Sequence, residues 1–261
     1  MPAIRDVVAP KGAGGAVLGF GVPLTDSNDK SLLEIPMGRG IYALASPDRK
    51  TVMRLRVLSK EEAGFDPEAI VSSAMALTLS QEAMARLRGT WLLGQLTFES
   101  HDPDVAPSMD FVLDVCVRLA ELSEGVVADP LSQRYRLPQD LRTLDRPEGA
   151  VDAREHVSMN RRPMSGAEQA FTLGMRKFGL PEIEMNGLLE DEMRLAHQYL
   201  MQLCQRILKD GPVSPGDSFG PFQLAEGGFD RAQWEGIPVL EALPPTRSTA
   251  GETLRSIAVP L

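Results

Sequence analysis

Cysteine, histidine and aromatic residues are all scarce in this 261-residue chain, which has two Cys, three His and only 5% Phe, Trp and Tyr. Two cysteines cannot build a disulfide framework or a thiolate-rich zinc site. Cys116 and Cys204 lie far apart in apolar, helix-like contexts, which points to buried free thiols and a reducing, cytoplasmic setting. His101, His156 and His197 are dispersed, with no HExxH and no pairing that sets two ligands on one helical face. No metal or cofactor is therefore expected, nor a G-x-S-x-G elbow to present a serine nucleophile. The chain also lacks any apolar run of membrane-spanning length, and its start has no apolar core of the signal-peptide kind.

Positive charge is in deficit. Lys and Arg number 27 against 36 Asp and Glu, a formal net charge of -9, which repels nucleic acid and acidic lipid unless a basic patch is segregated. Short basic groups at Arg54 and Arg56, Arg161-Arg162 and Arg176-Lys177 read as solvated faces. What is plentiful is ordinary core material, 43% apolar residues, enough to fold without a metal or disulfide staple.

Residues 1–50 are rich in Gly and Pro and read as loop with short strands, one of them at Ile41 to Ala45. The glycines lack a Gly-Lys-Ser/Thr ending and a following amphipathic helix, which removes a phosphate loop. Met53, Leu55 and Val57 alternate with Arg54 and Arg56, the period of a strand with one wet face. Asp66-Pro67-Glu68 writes a helix start, with a break expected near Ser80. A strand at Trp91 to Phe98, a helix entered at Pro107 and ended by Gly125, and a strand at Val126-Val127 follow. Asp129 to Ala150, with Pro130, Pro138 and Pro147, reads as a long connection. Beyond it come a strand at Glu155 to Met159, a helix from Gly166 to Lys177 with Ser165 and Glu168 as its capping box, and a strand at Glu182 to Met185. A helix from Glu190 to Lys209, strands at Phe219 to Leu224 and Ile237 to Leu243, and a tail complete the chain. This order predicts an α+β fold with mixed or antiparallel sheets packed with helices, either as two related halves or as one continuous mixed sheet, divided as an opening segment 1–50, then 51–147 and 148–261.

The most distinctive stretch is Phe171-Thr172-Leu173-Gly174-Met175-Arg176-Lys177-Phe178-Gly179-Leu180-Pro181-Glu182. It resembles the signature of a family of uncharacterised bacterial proteins, a domain of unknown function, in which Thr-Leu-Gly-Met runs through Phe-Gly and Pro-Glu into a strand. Gly216-Asp217-Ser218-Phe219-Gly220 resembles that family's second landmark. The resemblance implies an association with toxin, immunity and secretion genes, and no activity.

A negative balance without a catalytic constellation favours a non-enzymatic intracellular binding protein, of immunity or accessory type, that meets a protein partner through an acidic surface. Glu182 and Glu184, two apart on one strand face, are the first candidates for that surface, with Arg176 and Asp217 beside them. One alternative is a hydrolase or transferase whose site assembles only in the fold, from His101, His156 and Glu155. Another is a structural subunit of a larger assembly, joined through exposed strand edges.

Overall fold

The structure is a computed structural model that describes residues 1–9, 17–25, 30–100, 105–142, 151–228 and 236–257. It is an α+β protein whose chain divides into two compact units, Met1–Ala128 with Tyr135–Asp145, and Asp129–Arg134 with Arg146–Leu261.

The first unit is organised by the alternating strand. In β3 (Thr51–Ser59), Met53, Leu55 and Val57 are buried while Val52, Arg54 and Arg56 are exposed. It lies between β2 (Gly40–Ala45) and β4 (Leu92–Ser100), and β1 (Phe20–Pro23) completes an antiparallel sheet in the order β1-β2-β3-β4. The Gly- and Pro-rich opening segment thus supplies half of this sheet. Two helices cover its buried face, α1 (Ile4–Val8) and α4 (Val105–Leu122), through Ile4, Val7, Val8, Phe111, Val115 and Leu119. Close approach requires glycine: a Cβ on Gly21 would stand 2.8 Å from the Ile4 side chain. The Arg118 guanidinium donates to the Val7 carbonyl at 3.1 Å and ties the two helices together. Asp66 caps α2 (Pro67–Val71) and Ser80 caps α3 (Gln81–Arg88), so the helix breaks earlier than expected, after Val71, and a 3-10 turn over Ala74–Thr78 precedes Ser80. The long connection contains β5 (Val127–Asp129), β6 (Arg134–Arg136) and α5 (Pro138–Arg142).

The second unit is a six-stranded mixed sheet in the order β10-β11-β12-β9-β8-β7. Its strands are β7 (Ser158–Met164), β8 (Ala167–Leu173), β9 (Glu182–Leu188), β10 (Ser218–Phe219), β11 (Phe222–Glu226) and β12 (Val239–Leu243), with β9 and β12 the parallel pair. Helix α7 (Met193–Asp210) presents Ala196, Leu200, Leu203, Cys204 and Ile207 to a core that includes Ile183, Met185, Phe222, Leu224 and Leu240. Full burial of such side chains contributes roughly 1.5–3 kcal/mol each before the entropy of ordering them is subtracted.

Three expectations need correction. Gly166 to Lys177 is not a helix: Gly166 takes a φ of +77°, closes a tight turn, and sends Ala167–Leu173 back along β7 as a strand. The apolar positions that mimicked a helical stripe are those of a strand buried on both faces. The capping box at Ser165 does not form, because Glu168 lies in the ladder opposite Pro163. Glu155 is not in a strand either; Asp152 caps a single helical turn, α6 (Ala153–His156), ahead of β7. The tail holds a helix, α8 (Ala250–Ser256), started by a Thr249–Glu252 capping box.

Helix α8 meets the start of α7 at Gly251. The buried Glu192 carboxylate accepts from the Leu189 N–H at 2.8 Å and pairs with Arg255 at 2.7 Å, in the space a Cβ on Gly251 would fill. Gly251→Ala displaces that carboxylate and is expected to lower stability by about 1–3 kcal/mol, read as a fall in the urea midpoint at unchanged m-value.

Candidate functional site

Strand β9 carries the two glutamates singled out from the sequence, and neither is on an acidic surface. Glu182 is 0% exposed and Glu184 2%. A half-buried strand would show its alternate residues to water, but β9 is central, and beside Glu182 the second face of the sheet is covered by Leu173 and Val239 with Phe171 and Ile237.

Glu182 is a structural acceptor. Its Oε1 accepts from the backbone N–H groups of Gly174, at 2.7 Å, and Arg176, at 3.3 Å, and its Oε2 accepts from the Thr172 hydroxyl at 2.8 Å. The Thr172 oxygen in turn accepts from the Ile183 N–H at 2.8 Å. Gly174, at φ +124°, is where a Cβ would stand 2.2 Å from the His156 carbonyl oxygen. Gly179, at φ +69°, ends the 3-10 turn Met175–Phe178. The distinctive Thr-Leu-Gly-Met to Pro-Glu stretch is therefore a β8-to-β9 connection closed by one buried carboxylate.

Glu184 heads a polar row across the same sheet. Its Oε2 accepts from the Gln169 amide at 3.0 Å and its Oε1 from the Gly228 N–H at 2.9 Å. Gln169 also donates to Asn186 at 2.8 Å, and Asn186 to Glu241 at 2.9 Å. Burial raises the Glu184 pKa above its ordinary 4.5, and the neighbouring Glu241 charge adds to the rise. Arg176 extends an exposed side chain from the turn, and its backbone N–H donates to Glu182. Asp217 accepts from the Ser214 N–H at 2.8 Å in the turn before β10, three strands away from β9. The four candidates do not form one surface.

The proposed catalytic trio fares similarly. His101 lies outside the described residues. His156 and Glu155 do come together, Nε2 to Oε2 at 3.8 Å, but both are buried, and the His156 ring stands edge-on to Phe178. Beside them Lys177 donates to the His156 carbonyl at 2.6 Å and to Asp129 at 2.5 Å, and Ser132 donates to the same Asp129 oxygen at 2.6 Å. Burial works against the Asp129 charge, but Lys177 and the Ser132 hydroxyl overcome it and hold the carboxyl below the usual range. Ser132 is 0% exposed, so this cluster is a fastening. Burial lowers the His197 pKa. Contrary to expectation, Gly216-Asp217-Ser218-Phe219-Gly220 carries the letters G-x-S-x-G. Its context is a strand-to-strand turn, with Ser218 opposite Gln223, and no helix follows to make a nucleophile elbow. Among the described residues no group of His, Cys, Asp and Glu is placed to hold a metal ion, and no helix is long and apolar enough to cross a membrane.

An accessible apolar and basic surface lies on the first unit. One face of its sheet is open: Phe20 and Val22 of β1, Ile41 of β2 and Val52 of β3 are 53%, 49%, 41% and 45% exposed. Arg54 and Arg56 continue the same face, and neither has an ion-pair partner among the described residues. Arg49 stacks over the Phe20 ring at 5.6 Å, and Trp91, at the entry to β4, is 70% exposed. The alternation in β3 gives this strand's wet face, but the apolar neighbours enter only when β1 and β2 are paired to it. Compared with known proteins, the chain matches no family model, no curated protein and no solved structure.

Two outcomes test the buried carboxylates. Glu182→Gln sets an amide N–H₂ against existing donors and is expected to cost about 2 kcal/mol of unfolding free energy in urea titration. Glu184→Gln reports on pH. A raised carboxyl pKa means the folded chain holds a proton that the unfolded chain releases, so this group's contribution falls as pH rises from 4.5 through the raised value. The advantage of the wild type over Glu184→Gln in urea midpoint should be greatest near that lower value and shrink toward neutrality; a gap that widens instead would contradict the raised pKa.

Proposed function

We propose that this chain is a non-enzymatic protein-binding protein, of accessory or immunity type, whose docking surface is the open face of the first unit's sheet. The observation that carries the proposal is the combination on that face of exposed Phe20, Val22, Ile41 and Val52 with Arg54 and Arg56, which have no ion-pair partner among the described residues. Contiguous apolar surface flanked by charge is the anatomy of a protein interface, in which apolar residues supply affinity and charges select the partner. The sign is the reverse of the acidic surface expected from net charge: the partner chemistry that fits is an apolar patch bordered by carboxylates. Trp91 is the residue type that dominates such interfaces energetically. A cytoplasmic setting accords with free Cys116 and Cys204. The likeness of the Thr-Leu-Gly-Met stretch to a bacterial family associated with toxin and immunity genes belongs to this same proposal.

The test compares the full chain with its Arg54→Glu/Arg56→Glu variant in capture of partners from native lysate at low and high salt. A protein retained by the wild type, weakened by salt and at least about tenfold weaker with the variant is the expected result. Capture of nothing, or capture indifferent to the variant and to Trp91→Ala, would overturn the proposal.

A further inference from the structure

Each of the two main sheets has two edges, and three of the four are guarded. On β1, the Leu24 N–H bonds the Ile41 carbonyl at 2.8 Å, so by antiparallel alternation Gly21 and Pro23 turn their backbone outward, and Pro23 has no N–H to offer. On β7 the sequence Arg161-Arg162-Pro163 combines charge with proline. Strand β10 is two residues long. These are the devices by which sheets avoid adding strands.

Strand β4 carries one charge, Glu99 near its end, and none of the other devices. It is nine residues long, Leu-Leu-Gly-Gln-Leu-Thr-Phe-Glu-Ser, without Pro, Lys or Arg. It pairs with β3 on one side and with no strand on the other among the described residues. The Lys60 N–H bonds the Trp91 carbonyl at 3.1 Å and sets the phase. Leu93, Gln95 and Thr97 therefore spend their backbone groups on β3, and Leu92, Gly94, Leu96, Phe98 and Ser100 turn theirs outward. None of those five has a backbone hydrogen bond on the outer side among the described residues.

We propose that β4 pairs antiparallel with β4 of a second copy of this chain, about a two-fold axis at Leu96, joining two four-stranded sheets into one continuous sheet. The occupant follows from parity and composition. In this register every outward residue meets an outward residue: Leu96 faces its own copy, Gly94 faces Phe98, and Leu92 faces Ser100. All of these fall at hydrogen-bonded positions, as a ladder requires. The alternate row sets Gln95 opposite Thr97 and Leu93 opposite Glu99, so no two like charges stand opposite one another. A self-complementary strand satisfies an isologous interface without any partner of different sequence. The inference does not depend on the docking face proposed above.

The test is sedimentation of the full chain over a concentration series, with two variants at exposed positions of β4. The wild type should show a reversible monomer–dimer equilibrium. Gln95→Lys/Thr97→Lys sets like charges directly opposite at both copies of the 95–97 pair and should weaken dimerisation by about tenfold or more. Gln95→Lys/Thr97→Glu sets opposite charges there and should restore it. Amide exchange supplies a readout that needs no variant: in the wild type, Gly94, Leu96 and Phe98 should become protected as concentration rises, while Gln95 and Thr97 stay unchanged. A wild type that remains monomeric at every concentration would overturn the proposal, as would a dimer affected equally by both variants or exchange at Gly94, Leu96 and Phe98 indifferent to concentration.

Discussion

The carboxylate of Glu182, with no solvent access, depends on three donors from the end of β8 and the turn that follows it, and the second unit is arranged around that dependence. A charge so placed is tolerable only where hydrogen bonds replace its water. Thr172, Gly174 and Arg176 supply them because the chain leaves β8, makes one 3-10 turn and re-enters as β9. The same turn sends Lys177 to Asp129 and the His156 carbonyl, so the connection from β5 and the start of β7 are fastened at this point. Local chain geometry and long-range assembly thus meet in one turn.

This arrangement bears on how polar residues in the unit should be understood. Glu182, Glu184, Glu192, Gln169 and Thr172 are all buried, and each closes a turn, joins adjacent strands or starts a helix through its hydrogen bonds. Their conspicuous residue types invite a functional reading, yet what they do is satisfy backbone and one another. In the first unit, by contrast, Arg54 and Arg56 face outward among apolar neighbours and have no ion-pair partner among the described residues.

Much of the fold was legible wherever one periodicity ruled. Met53, Leu55 and Val57 fixed a strand and its buried face, Asp66-Pro67 a helix start, and Met193 to Ile207 the apolar face of α7. Legibility failed at Ala167–Leu173, because a strand buried on both faces loses its alternation, and at α6 and α8, because one or two turns carry too few residues to show a period. The site was less legible still. The position of Glu182 and Glu184 on one strand was read correctly, but the two-residue spacing says which side of a strand is shared, not whether that side meets water.

Sequence alone determined the α+β class, the alternation of β3, the main helices and the acidic balance, since these rest on near-neighbour periodicity and composition. Only the tertiary structure decided that β9 lies in the middle of its sheet and β4 at the edge of another. Strand order is set by contacts between residues distant in the chain, and it determines both the burial of the glutamates and which strand edge has no paired neighbour among the described residues.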